Sequence, residues 1–278
     1  MPYSDFKGKV AIITGAGAGI GLAIAEALVK EGVRVAGMDI NLDGVSRVEQ
    51  RVGKDKFLAL QVDITDPVNC KRGVDAAAEH FGGLHVLINN AALGMNAVHP
   101  HYETLPLQIE DVSEELWKKF MLTNVCGTFN MSRQVVPRLR PQKWGRIINV
   151  STSYLTMMRP GFSPYGPSKA ALEAWSMMLS RELDESGITV NVVLPGGPVD
   201  TAMVPDRDGL DRETLIRPEM MAPMILALLT SEGDKITGKR FLAVDWDNTI
   251  SDPQLQTHRT AAWPELATPL AALAPKKG

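Results

Sequence analysis

Two cysteines in 278 residues leave little room for sulfur chemistry. Cys70 and Cys126 stand far apart, neither has metal-ligand spacing, and the polar start Met1-Pro2-Tyr3-Ser4-Asp5 carries no secretory apolar core. Both are therefore expected as reduced thiols in a cytoplasmic protein. Also missing is any apolar run near the roughly 20 residues that cross a bilayer, so no membrane span is expected. A formal net charge of -3, with the cations scattered, provides no basic field and argues against a nucleic-acid partner. The histidines form no ligand constellation, so no metal is expected, and His99 and His101 read as surface loop residues. With neither linker nor repeat, residues 1–278 are expected to form a single domain.

What is present is an alternation of short β-rich runs and longer helical patterns. Strands are expected at Lys9–Thr14, Val33–Met38, Phe57–Val62, Leu84–Asn89, Gly145–Val150, Ile188–Leu194 and Arg240–Val244. Near-continuous apolar strands imply burial on both faces, which predicts an α/β fold with a doubly wound parallel sheet. Two stretches break the rhythm, 93–111 and 195–217. Both are rich in turn residues, and loops this long in a compact domain serve as lids or binding loops. The proline- and alanine-rich segment 246–278 reads as a C-terminal tail extension, disordered or capping a partner.

Between the first strand and first helix lies Thr14-Gly15-Ala16-Gly17-Ala18-Gly19-Ile20-Gly21, a turn whose backbone N–H groups and helix N-terminus attract a pyrophosphate. Asp39 ends the second strand, where a carboxylate can accept hydrogen bonds from ribose hydroxyls; the competing reading is a helix N-cap ahead of Leu42. Neither Ala18 nor Ile40 offers a cation for a 2′-phosphate, so NAD is expected rather than NADP. Asp63 and Ile64 follow the third strand, the aspartate placed to meet adenine, while Asp66 caps the helix begun by Pro67. Asn90, Ala91 and Ala92 close the fourth strand with small residues that suit close passage of a cofactor, or form a plain asparagine turn.

Some 150 residues beyond that turn, Tyr165 and Lys169 stand four apart, on one face of a helix. A positive charge beside the phenol favours phenolate, which an isolated tyrosine with a pKa of about 10 does not reach at neutral pH. Tyr-x-x-x-Lys at Tyr165–Lys169, Thr-Gly-x-x-x-Gly-x-Gly at Thr14–Gly21 and Asn-Asn-Ala at Asn89–Ala91, on this strand–helix pattern, resemble the short-chain dehydrogenase/reductase family from about Phe6 through Val244. The resemblance implies a Rossmann fold, a nicotinamide cofactor and an Asn-Ser-Tyr-Lys tetrad. Tyr165 would be the acid/base, Lys169 would bind the nicotinamide ribose and lower the phenol pKa, and Asn124 would hold a water in a relay to the lysine. Ungapped alignment with the family places the hydroxyl at Thr152; a one-residue shift makes it Ser153, with Ser151 the third choice. Pro195, Gly196, Val199 and Thr201 resemble the family segment that holds the carboxamide.

The expected activity is interconversion of a secondary alcohol and a ketone, with an NAD-binding protein without turnover, or a C=C or C=N reductase, as alternatives. Tyr154, Leu155, Met157, Met158, Phe162 and Met203 supply apolar residues for a small-molecule pocket suited to an apolar or aromatic substrate. Ala170, Ala171, Ala174, Trp175, Met178 and Leu179 fit the helix contacts by which the family forms homodimers or homotetramers.

Overall fold

The computed structural model describes residues 5–99, 101–102, 107–250, 252–256 and 259–260. Alternation along each strand explains the layers. In β1 (Val10–Thr14), Ala11 and Ile13 pack into one hydrophobic layer and Val10 and Ile12 into the other, so a strand with no polar face is buried on both sides. The same holds through β2 (Arg34–Asp39), β4 (Val86–Asn89), β5 (Gly145–Val150) and β6 (Ile188–Leu194), with β3 (Phe57–Gln61) and β7 (Lys239–Leu242) towards the edges. The sheet order is β3-β2-β1-β4-β5-β6-β7-β8; the first seven strands are parallel, and β8 (Arg259–Thr260) runs antiparallel to β7.

The order reverses between β1 and β4, which opens a crevice beyond the carboxyl ends of those strands. Helices α1 (Gly19–Lys30), α2 (Leu42–Val52) and α8 (Ala222–Leu229) cover one face. The other is covered by α3 (Pro67–Phe81), α5 (Thr128–Leu139) and the C-terminal half of α7 (Tyr165–Glu182). Asp66 caps α3 by accepting from Val68 N at 2.8 Å, with Pro67 in the first turn, as expected. Between α4 (Glu114–Phe120) and α5 the chain widens into a π-helical turn, Met121–Gly127.

Both long connections take part in the fold. The 195–217 loop is zipped at its base: Val199 bridges Ile216, Asp200 N donates to Ile216 O at 2.9 Å, and Ile216 N donates to Pro198 O at 3.0 Å. The 93–111 loop forms short 3₁₀ turns at Met95–Ala97 and Ile109–Asp111. The expected tail is corrected in its first part, because Arg259–Thr260 pairs with β7 and Pro253–Gln256 forms a 3₁₀ turn; positions 261–278 lie outside the described residues. No described helix is long and apolar enough to cross a membrane.

Candidate active site

The glycine turn is fixed by close backbone packing. Gly15 has φ +66°, a left-handed conformation, and a Cβ on Gly21 would lie 2.1 Å from the Gly15 carbonyl oxygen, so a side chain at either position disrupts the turn. Asn90 braces it from the end of β4, its Nδ2 donating to Thr14 O at 3.0 Å and Gly15 O at 3.1 Å. Ala18, the N-cap of α1, makes no side-chain cap hydrogen bond and no acidic residue sits in the first turn. The helix N-terminus thus keeps backbone donors for an anionic ligand, which fits a dinucleotide pyrophosphate.

Asp39 reaches back to this turn. Its Oδ2 accepts from Gly17 N at 3.0 Å and its Oδ1 from Asn41 N at 3.0 Å. The N-cap of α2 is Asn41, whose Oδ1 accepts from Asp43 N, so the competing cap role falls to another residue. Asp63 Oδ1 closes a local turn by accepting from the backbone N and hydroxyl of Thr65, both at 2.8 Å.

Two cavities share Gly15, Ala91 and Ala92 and so form one cleft across the sheet reversal. The larger, about 770 Å³, is walled by Asp39, Ile40, Asp63 and Ile64. The smaller, about 360 Å³, is walled by Ala18, Gly19, Ile20, Asn90, Ser151, Thr152, Ser153, Tyr165, Lys169, Pro195, Gly196, Val199 and Thr201. Gly17, Gly21 and Asn124 line neither: Gly17 packs against Asp39 and Gly44, Gly21 packs against Gly15, and Asn124 is fully buried. Lys118 and Lys119 of α4 line the larger cavity, bringing cations that inspection of the turn and strand end alone does not find; Lys118 pairs with Glu114 at 2.5 Å.

At the floor of the smaller cavity, α7 begins with Tyr165 and brings Lys169 beneath β5. Of the three hydroxyls at 151–153, that of Thr152 is the one that acts on the Tyr165 phenol, favouring its phenolate form. Ser153 instead caps α6 (Tyr154–Met157), its Oγ accepting from Thr156 N at 3.1 Å, and the Ser151 hydroxyl is buried without a partner. Burial pushes the phenol up to about 12, against the pull of the Thr152 side chain. Burial also pushes the Lys169 ammonium down to about 8, against the Glu173 carboxylate, and its Nζ donates to Val150 O at 2.9 Å. The expected lowering of the phenol by the lysine is not seen here: desolvation sets the direction, and Thr152 is the group that opposes it.

Asn124 sits in the π-helical turn, a local widening that recurs at functional sites. Its Oδ1 accepts from Leu93 N at 2.8 Å, and its Nδ2 donates to Leu93 O at 3.0 Å and to Ser168 Oγ at 2.9 Å. Both amide ends are engaged, so the side chain ties the 93–111 loop to α7 instead of facing the cavity.

The pocket wall differs from the one expected. Phe162 and Met203 line it, whereas Leu155 (86% exposed) and Met158 (66%) face outward, Met157 is buried, and the Tyr154 ring covers Arg240 at 4.1 Å. Met95 and Tyr102 replace them; with Phe162 they form a small apolar cluster against Tyr165. His99 and His101 do not line either cavity.

A family model described as short chain dehydrogenase matches residues 9–209. The 3-oxoacyl-[acyl-carrier-protein] reductase FabG of Salmonella typhimurium is 33% identical over 192 residues, 69% of this chain and 74% of that protein. The protein of the same name from Thermotoga maritima is 32% identical over 247 residues, 84% of this chain and 95% of its own length. Among solved structures, the 3-ketoacyl-(acyl-carrier-protein) reductase of Brucella melitensis complexed with NADH superposes with a TM-score of 0.75 at 28% identity, covering 85% of this chain and 97% of that one.

Proposed function

The chain belongs to the short-chain dehydrogenase/reductase family of oxidoreductases, and from that footing we propose that it interconverts a secondary alcohol and a ketone with NAD as cofactor. The observation that carries this reading is that Thr152, Tyr165 and Lys169 together wall a cavity continuous with the glycine turn. When bound, the nicotinamide ring supplies or accepts the hydride. Tyr165 exchanges the proton with the substrate oxygen; a phenol held near 12 keeps its proton at neutral pH and suits donation to a ketone, with the reverse path in alcohol oxidation. Thr152 steadies the charge developing on that oxygen, and Lys169 binds the ribose hydroxyls and carries the compensating charge. Asn124 acts by holding Leu93 and Ser168 in place. Val199 and Thr201, in the wall of the smaller cavity, would hold the carboxamide.

NAD is preferred over NADP because Asp39 stands beside Gly17 at the rim of the larger cavity, where a carboxylate accepts from ribose hydroxyls and repels a 2′-phosphate. The relative complexed with NADH agrees with this choice. The apolar cluster of Met95, Tyr102 and Phe162 favours an apolar or aromatic substrate. Free thiols at Cys70 and Cys126 suit the cytoplasm. The exposed residues Ala171, Ala174 and Met178 of α7, beside Trp175 and Phe129, suit a homodimer or homotetramer.

The test is direct. Purified protein is mixed with NAD or NADP and a panel of secondary alcohols, and with the reduced cofactors and ketones. We expect turnover with NAD(H), much weaker turnover with NADP(H), and loss of turnover with retained NADH binding in Tyr165→Phe. Binding without turnover across the panel returns the protein to a sensing role.

A further inference from the structure

Strand β7 buries a charged residue. Arg240 precedes Phe241, and its side chain is 3% exposed. Its Nε donates to both carboxylate oxygens of Glu173, at 3.1 and 3.2 Å, and Glu173 is itself 2% exposed. Its Nη2 donates to the carbonyl oxygen of Thr152 at 2.7 Å, and its guanidinium lies 4.1 Å from the centre of the Tyr154 ring. One side chain therefore joins α7, α6 and the turn that follows β5.

Glu173 lies four residues after Lys169 on α7, so the two share a helix face. Lys169 holds the carbonyl of Val150, and Arg240 holds the carbonyl of Thr152. The two cations grip the turn on either side of Ser151, with the single buried carboxylate of Glu173 between them. A buried ion pair is a poor way to gain stability, since apolar residues of the same volume do as well or better in its place. Packing alone therefore does not account for the pair. Its third hydrogen bond does, because it ends on Thr152, which walls the same cavity as Tyr165.

We infer that Arg240 and Glu173 are positioning residues for the hydride-transfer site: they fix the backbone at Thr152 so that its hydroxyl is aimed at the Tyr165 phenol and the substrate oxygen. This rests on the alcohol–ketone reading above.

The experiment compares four full-length proteins: wild type, Thr152→Val, the apolar pair Glu173→Leu/Arg240→Met, and all three changes together. The apolar pair is expected to fold and to bind NADH as wild type does. Its kcat is expected to fall at least about tenfold, yet in the Thr152→Val background the same pair lowers kcat by less than about threefold, because the hydroxyl it positions is gone. Unchanged kcat in the apolar pair, or losses that multiply, overturns the inference. If the apolar pair does not fold, Glu173→Gln/Arg240→Gln goes through the same comparison. If wild type binds the dinucleotide but turns over no alcohol or ketone, the reading of function fails separately. Positioning is then read from the phenolate titration of Tyr165, isolated by difference from Tyr165→Phe. Its midpoint should move up in the apolar pair as it does in Thr152→Val, and an unmoved midpoint overturns the inference.

Discussion

The three hydroxyls at 151–153 are chemically alike, and their surroundings assign them different work. Ser153 is spent on capping α6, the Ser151 hydroxyl is buried without a partner, and Thr152 acts on the phenol. Thr152→Val is expected to lower kcat about 100- to 1000-fold with cofactor binding retained, as loss of an aimed hydroxyl donor does. Ser153→Ala is expected to cost about 1 kcal/mol of stability from the lost cap and to leave kcat within about threefold. Steady-state kinetics beside urea denaturation separates the two. Lys169 gives a pH prediction. Its native pKa of about 8 lies below the ordinary 10.5, so between those values the unfolded chain binds more protons and stability rises with pH; below about 8 the penalty of burying an ammonium is fully present. Lys169→Met should therefore stabilise the protein at pH 7 by on the order of 1–3 kcal/mol and lose that gain above the upper end of the window, measured by denaturation at both pH values.

At the level of elements, the 195–217 loop is tied down by its own ion pairs. Asp200 clasps it by taking Arg212 Nε at 2.8 Å and Arg217 Nη1 at 2.5 Å, while Arg212 also reaches Asp206 at 2.6 Å. The clasp holds Thr201 against Gly19 and Met203 against Gly94, at the roof of the smaller cavity. Asp200→Ala is expected to raise KM for the alcohol about three- to tenfold. Limited proteolysis should cut faster within the loop, and an unchanged cleavage rate would argue against the clasp. The strands were legible because their periodicity records burial on both faces: β5 and β6 begin and end where the apolar runs do. The π-helical turn was not legible, because Met121–Gly127 is as compatible with an ordinary helix and widens only against its neighbours.

For the whole molecule, exposed Met178 and half-exposed Phe129 lie on neighbouring helices of one face. On the proposed assembly, substituting aspartate at both should lower the mass measured by light scattering while leaving the fold intact; an unchanged mass argues against a subunit contact on this face. The sequence by itself determined the parallel α/β sheet, the glycine turn and the Tyr165–Lys169 pair, since each is written as a local pattern of period, spacing or residue size. Only the tertiary structure decided which hydroxyl faces the phenol, that Tyr102 and Met95 wall the pocket while Leu155 and Met158 do not, and that Arg240 reaches Thr152. Those outcomes depend on side-chain direction and on contacts between residues up to 88 positions apart, which no local pattern encodes.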